Sequence, residues 1–261
     1  MNRKTFKIVT QALLVVLIFS CTVKQGDEKK LKEVSFLTSD SVKIFGNLYI
    51  ENSGSPLILL FHQGGSNSRA EYNPIIPKLH KEGYNILAID QRLGGQTYGM
   101  YNRTIAKFKT NPHTYCDAYK DLEAALNYVK SSSQFSGDII AWGSSYSGTL
   151  AIQLGAKNDS LIKGVIAFSP ASGGPMAPCK PDEYLKNMEM PVLVVRPKSE
   201  AEIESVKDQL RIVNESGHQF YLAENGVHGS SLLVQKRVGH DVEESWNVIL
   251  DFISETTGYN N

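Results

Sequence analysis

The chain has 261 residues, 41% of them hydrophobic, with 27 basic and 27 acidic side chains and a formal net charge of zero. The first 20 residues hold three of the basic groups and none of the acidic ones, so the remainder carries a small negative excess. This balance leaves no electrostatic footprint for a nucleic-acid partner, and no repeat, low-complexity tract or linker divides the chain.

Arg3, Lys4 and Lys7 precede an apolar run over residues 8–19 that only Thr10 and Gln11 interrupt. The run is shorter than the roughly 20 residues a membrane span needs. Its basic-then-apolar order is that of a secretory signal. It ends in Leu17-Ile18-Phe19-Ser20-Cys21, which resembles the lipobox of bacterial lipoproteins, with Phe19 bulky for its place. The resemblance implies a signal peptide over 1–20, lipidation of Cys21, a polar tether over 21–32 and a place in the bacterial cell envelope, held to a membrane by the N-terminal lipid. An ordinary signal peptide with an unrelated cysteine is the alternative.

The rest, about 230 residues, is long enough to bury one large core. Two strands come first, over 34–37 and 42–50, the second alternating Ile44, Gly46, Leu48 and Ile50, and an antiparallel pairing is expected. Six short apolar runs follow, over 57–61, 85–89, 138–142, 164–168, 192–195 and 219–222. Such runs suit parallel strands buried on both faces. Helical patterns lie over 72–82, 115–130, 147–157, 200–216 and 242–254. The order predicts one domain over 33–257, an α/β fold with an eight-stranded, mostly parallel sheet flanked by helices, and a short cap of about 20 residues between strands six and seven.

In such sheets reactive groups gather at the carboxyl ends of strands. The fifth strand runs into Trp142-Gly143-Ser144-Ser145-Tyr146-Ser147-Gly148 and then a helix. A serine on a sharp strand-to-helix turn needs small neighbours two residues away on each side. Ser145 has Gly143 and Ser147 there; Ser144 as the nucleophile would place Tyr146 in the crowded position. After the third strand, His62-Gln63-Gly64-Gly65-Ser66 offers a backbone donor for an oxyanion, Gly64 first and Gln63 second, to act with the N–H of Tyr146. His62 is expected to order that loop by hydrogen bonding. No carboxylate follows the sixth strand before Asp182, whereas Glu200 and Glu202 follow the seventh. Glu200 fits the station of a triad acid best, with Glu202 in reserve. The eighth strand ends in Asn225-Gly226-Val227-His228-Gly229, the place for the base. His240 is its rival, and His80, His113 and His218 read as solvent-facing.

The order Ser145, Glu200, His228 is neither that of chymotrypsin nor that of subtilisin. With the segments at 60–66 and 83–92, the elbow and Val227-His228-Gly229, the chain resembles the α/β-hydrolase family over residues 33–257, most of all its dienelactone-hydrolase-like and esterase members. It departs from their pattern at Ser147 and in using Glu as the acid. Asp90 and Arg92 read as a structural pair below the fourth strand's exit.

The resemblance implies a serine hydrolase that cleaves small-molecule esters through an acyl-enzyme. Metal and organic cofactors are not called for, since no Cys/His cluster has ligand spacing, and no protein partner is implied. Two other readings stay open: a peptidase acting on short peptides, since prolyl peptidases of this fold also carry Ser-Tyr at the elbow, and a hydrolase fold that only binds. Residues 93–111, with Tyr98, Met100, Tyr101 and Phe108, read either as an overhang that selects part of the substrate or as a surface loop. Cys116 and Cys179 are either a disulfide tying the cap to the rim of the site or two separate thiols.

Overall fold

A computed structural model describes residues 30–260. The expected signal peptide and Cys21 lie outside the described residues. Among the described residues there are eight strands: β1 (Lys30–Leu37), β2 (Lys43–Ile50), β3 (Leu57–Phe61), β4 (Asn85–Asp90), β5 (Ile139–Ser144), β6 (Ile162–Phe168), β7 (Val192–Pro197) and β8 (Gln219–Ala223). They form one sheet in the order β1-β2-β4-β3-β5-β6-β7-β8. β2 pairs antiparallel with β1 and β4, and every other pairing is parallel. This is the α/β-hydrolase arrangement. β1 starts before the expected domain boundary: Lys30, Leu31 and Lys32, read as the end of the tether, pair with Ile50, Tyr49 and Leu48.

The period of two in each strand divides the core between the faces of the sheet. In β3, Leu57, Leu59 and Phe61 join one apolar cluster, and Ile58 and Leu60 join the other. β5 does the same, with Ile139 and Ala141 against Ile140 and Trp142. Among the described residues eight helices flank the sheet: α1 (Ser68–Tyr72), α2 (Ile76–Lys81), α3 (Tyr119–Lys130), α4 (Tyr146–Lys157), α5 (Asp182–Asn187), α6 (Glu204–Glu215), α7 (Gln235–Val238) and α8 (Glu243–Thr257). The first cluster takes Leu122, Leu126 and Val129 of α3, Leu150 and Leu154 of α4, and Ile212 and Val213 of α6. The second takes Leu79 of α2 and Trp246, Ile249 and Ile253 of α8. Truncating such a fully buried leucine to alanine typically costs about 2–5 kcal/mol.

The differences from the sequence reading have local causes. The expected helix over 72–82 is replaced by α1 and α2, because Pro74 has no N–H to donate to the Ala70 carbonyl four residues back, and that carbonyl accepts from Arg237 instead. α5 sits in the cap, and its Leu185 carbonyl is met by His218 Nε2 at 2.8 Å. His80 is buried rather than solvent-facing. Asp90 and Arg92 do not pair with each other. Asp90 accepts from Arg103 at 2.7 Å and from Ser68, whereas Arg92 is held by Asp40 at 2.7 Å and Asp121 at 2.8 Å. Arg92 lies in the loop beyond the end of β4, where strand alternation no longer sets its direction, and its guanidinium reaches Asp121 of α3 and Asp40 of the β1–β2 turn while Asp90 is met by Ser68 of α1 and by Arg103.

Cys116 and Cys179 are joined as a disulfide, with Cα atoms 5.8 Å apart and a sequence separation of 63. In the chain-entropy picture, closing a loop of that length stabilises the fold by about 4 kcal/mol.

Candidate active site

Ser145 occupies the turn between β5 and α4 with φ 60° and ψ −123°. A positive φ at a residue with a side chain costs about 1–3 kcal/mol and persists only where the surroundings impose it. Here the Ser145 N–H donates to the Phe168 carbonyl at 2.8 Å, and its carbonyl accepts from Gly148 at 2.9 Å and Ala171 at 3.2 Å. Gly143 lies so close to the Ser147 carbonyl that a Cβ would collide with it, which explains the small residue there. Ser147, where the family pattern has glycine, is used: its hydroxyl donates to the His62 carbonyl at 2.6 Å and accepts from Gln91 Nε2 at 2.8 Å, tying the elbow to the neighbouring strand end. Ser144 is fully buried, and its hydroxyl accepts from the Ser230 N–H at 3.0 Å. It has no access to a substrate.

Glu200 and His228 meet at the ends of β7 and β8, with His228 Nδ1 and Glu200 Oε1 at 2.6 Å. The second carboxylate oxygen of Glu200 accepts from Arg196 at 2.7 Å. Burial alone pushes the Glu200 carboxyl up; the hydrogen bond and charge of His228, with Arg196, outweigh it and hold the group below its ordinary value. An ionised carboxylate can only accept. The proton of the bond is therefore on Nδ1, and Nε2 is left free to take another. Glu202 is 85% exposed in its side chain and pairs with Lys207 instead. His240 is exposed. Among the described residues no hydrogen bond joins Ser145 Oγ to His228; in unliganded sites such bonds are often long and tighten when substrate binds.

Two residues of this arrangement were not singled out in the sequence. Ser169, at φ 43°, donates to Glu200 Oε1 at 3.2 Å and accepts from the Gly229 N–H at 3.1 Å, so it bridges the acid and the histidine loop. Arg196 is buried at the end of β7 and also binds the Pro170 carbonyl and Gln209. A cation closing an apolar strand was the available sign of a buried partner.

The backbone N–H groups of Gly64 and Tyr146 have no acceptor among the described hydrogen bonds. Tyr146 opens α4, so the positive end of that helix lies at the site. The N–H of Gln63, the other donor considered, is engaged with Glu71 at 2.9 Å. His62 orders the same loop, with Nδ1 against the Gln63 carbonyl at 2.8 Å and Nε2 accepting from Gln91 at 3.0 Å. Burial lowers the His62 pKa, in keeping with a neutral ring. Residues 93–101 sit behind this loop, where Gly95 and Thr97 donate to the Ser66 and Gly65 carbonyls at 2.7 and 2.9 Å. They do not line the pocket; Tyr115 supplies its aromatic wall.

Glu71 is fully buried behind the loop, and desolvation pushes its carboxyl up to about 7 against the opposing hydrogen bonds of Gln63, Ser144 and Ser66 and the charge of Arg237. The unfolded chain would titrate near 4.5. Between those values the folded state keeps a proton that the unfolded state releases. The associated stabilisation is complete below the lower value and is lost as pH rises through the upper one, a difference of about 3 kcal/mol. Urea unfolding at pH 5 and pH 8 should therefore show a smaller pH difference in Glu71→Gln than in the parent. Equal differences would mean that this carboxyl is not shifted.

Ser145, Gly64 and Tyr146 open onto a pocket of about 150 Å³ whose other walls include Tyr115, Gly173 and Met176. None of its lining residues is a carboxylate. Among the described residues no group of three or more His, Cys, Asp or Glu is placed to hold a metal ion.

Residues 54–221 match the family described as "Serine aminopeptidase, S33". The chain belongs to this family of α/β hydrolases. It is also similar to a thiohydrolase, aneE, of Aspergillus aculeatus, 29% identical over 152 residues that make up 56% of this chain and 44% of that protein. The chain thus spans less than half the length of that relative. Among solved structures, the Pyrococcus furiosus esterase Pf2001 superposes with a TM-score of 0.65 at 20% identity, covering 87% of this chain and 92% of the esterase. The Pyrococcus horikoshii acylaminoacyl peptidase superposes with a TM-score of 0.65 at 14% identity, covering 89% of this chain and 42% of the peptidase. These two likenesses are likenesses of fold.

Proposed function

We propose that this hydrolase cleaves carboxylic esters through an acyl-enzyme on Ser145. The observation that carries the reading is the strained Ser145 at a pocket shared with the Gly64 and Tyr146 N–H groups, beside a bonded His228–Glu200 pair. Ser145 Oγ attacks the carbonyl carbon as His228 Nε2 takes its proton. The oxyanion is met by the Gly64 and Tyr146 donors and by the N-terminus of α4. Glu200, ionised and held by Arg196, keeps the imidazole in the tautomer that can act and stabilises it once charged. Collapse expels the alcohol, which receives the proton from Nε2. A water then adds to the acyl-enzyme with His228 again as base, releasing the acid and restoring Ser145.

Two features of the comparisons bear on the leaving group. An esterase and a thiohydrolase are among the similar proteins, and both names are compatible with acyl transfer to water. The family description and a peptidase neighbour raise amide cleavage. An aminopeptidase needs an anionic group for the substrate's ammonium, and the pocket supplies no carboxylate. A fluorophosphonate probe followed by p-nitrophenyl esters and aminoacyl p-nitroanilides tests the choice. Ester turnover with little anilide turnover is expected; the reverse would make the protein a peptidase.

The mature protein is proposed to be a lipoprotein of the cell envelope, anchored through Cys21. The support is the basic, apolar and Ser20-Cys21 order of the first 21 residues, and several acyl chains on one residue suffice for stable attachment. Cys21→Ser should abolish lipid labelling and accumulate precursor. Recovery of the parent protein without lipid mass on its N-terminus would refute the anchor.

A further inference from the structure

We infer that the pocket at Ser145 receives the acyl portion of the ester and limits it to short chains or a single ring, with Gly173 and Met176 setting the limit. This rests on the esterase reading above. The orientation follows from where the base lies. His228 returns its proton to the departing alcohol, so the alcohol must leave on the His228 side. The pocket is lined by Ser145 and by both oxyanion donors, but by neither His228 nor any other residue of its loop. The group that fills it is therefore attached to the carbonyl carbon and not to the leaving oxygen.

The size follows from the walls. A cavity of about 150 Å³ is the size known to hold a benzene ring, and this pocket has that volume. Tyr115 closes one side, packed on Tyr146 with ring centroids 4.8 Å apart and lying against Gly64. Met176, buried in the 3-10 turn Gly174–Cys179, closes the other. The disulfide joins these walls, since Cys116 follows Tyr115 and Cys179 ends the turn that holds Met176. A pocket tied in this way resists widening to admit a longer chain.

Gly173 provides a clean way to shrink it. Its backbone, φ −89° and ψ 178°, is open to any residue. A Cβ there would meet nothing within 4 Å. Gly173→Leu should therefore fold normally while occupying part of the pocket. The experiment measures kcat/KM for p-nitrophenyl acetate, butyrate, hexanoate, benzoate and decanoate in the parent, Gly173→Leu and Met176→Ala. Parent activity should peak at butyrate or hexanoate, include benzoate, and fall at decanoate. In Gly173→Leu, the kcat/KM ratios of hexanoate and of benzoate to acetate should fall about tenfold or more, the effect of misfitting one or two methylenes in an apolar pocket. Met176→Ala should move the optimum to longer chains.

A second series varies the alcohol, as phenyl against naphthyl acetate, and neither variant should alter that ratio. If acetate and hexanoate change in parallel, or if the alcohol ratio shifts instead, the assignment of the pocket is overturned while the esterase reading stands. If the parent takes the fluorophosphonate on Ser145 yet hydrolyses none of the esters, the esterase reading fails and this assignment falls with it.

Discussion

Ser145→Ala is expected to abolish fluorophosphonate labelling and to lower ester turnover by about 10⁶-fold, the scale seen when a catalytic serine is removed from an intact site. The loss should come without unfolding. The Ser145 side chain makes no hydrogen bond among the described residues, and the elbow is held by backbone contacts from Phe168, Gly148 and Ala171 that an alanine keeps. The thermal midpoint should stay close to that of the parent. Peptide mapping of the labelled parent gives the complementary result, a single modified residue at position 145. A label on Ser144 would contradict the structure, where that hydroxyl is buried against Ser230.

Glu200→Gln is expected to lower kcat by about 10⁴, as when the acid of a serine protease triad becomes an amide. The amide presents an N–H₂ as well as a carbonyl to His228. It can therefore stabilise the tautomer with the proton on Nε2, which cannot accept from Ser145. It also leaves Arg196 with a weaker partner, so some stability should be lost together with activity. Comparing the two measurements separates the effects: the thermal midpoint reports Arg196, and kcat at a temperature where the variant is folded reports the imidazole. Glu202→Gln is the control. Its exposed pairing with Lys207 is of a kind that contributes at most about 1 kcal/mol, and its kcat should stay within twofold. A damaging Glu202→Gln beside a mild Glu200→Gln would transfer the acid to the other residue.

The parts of this molecule legible in the sequence are those with local causes. The buried strands announce themselves as short apolar runs, and the elbow as a serine between small residues at the end of one. What the chain order could not convey is which distant side chains satisfy one another. Asp90 and Arg92 are two residues apart and looked like a pair, yet their partners, Arg103 and Ser68 for one and Asp40 and Asp121 for the other, come from four different segments. The role of Ser169 is illegible in the sequence for the same reason. Nothing about a serine before a proline says that its hydroxyl will stand between Glu200 and Gly229. The short cap is less legible still: Pro175, Pro178 and Pro181 mark a turn, but only three-dimensional packing shows that Met176 is buried at the pocket. The aromatic run at 98–108 drew attention by composition, whereas the ring that faces the site, Tyr115, stands alone.

The link between Cys116 and Cys179 encloses α3, β5, α4 and β6, and so the nucleophile itself. An endoprotease that cuts the exposed turn after α3, at residues 131–136, would divide the polypeptide between Gly64 and Ser145 without separating the two pieces. β3 and β5 would still lie side by side in the sheet, and the bridge would keep the halves a single covalent body. Such a clipped molecule would run as one band without reductant and as two with it. This is a form of durability that does not depend on how stable the fold is.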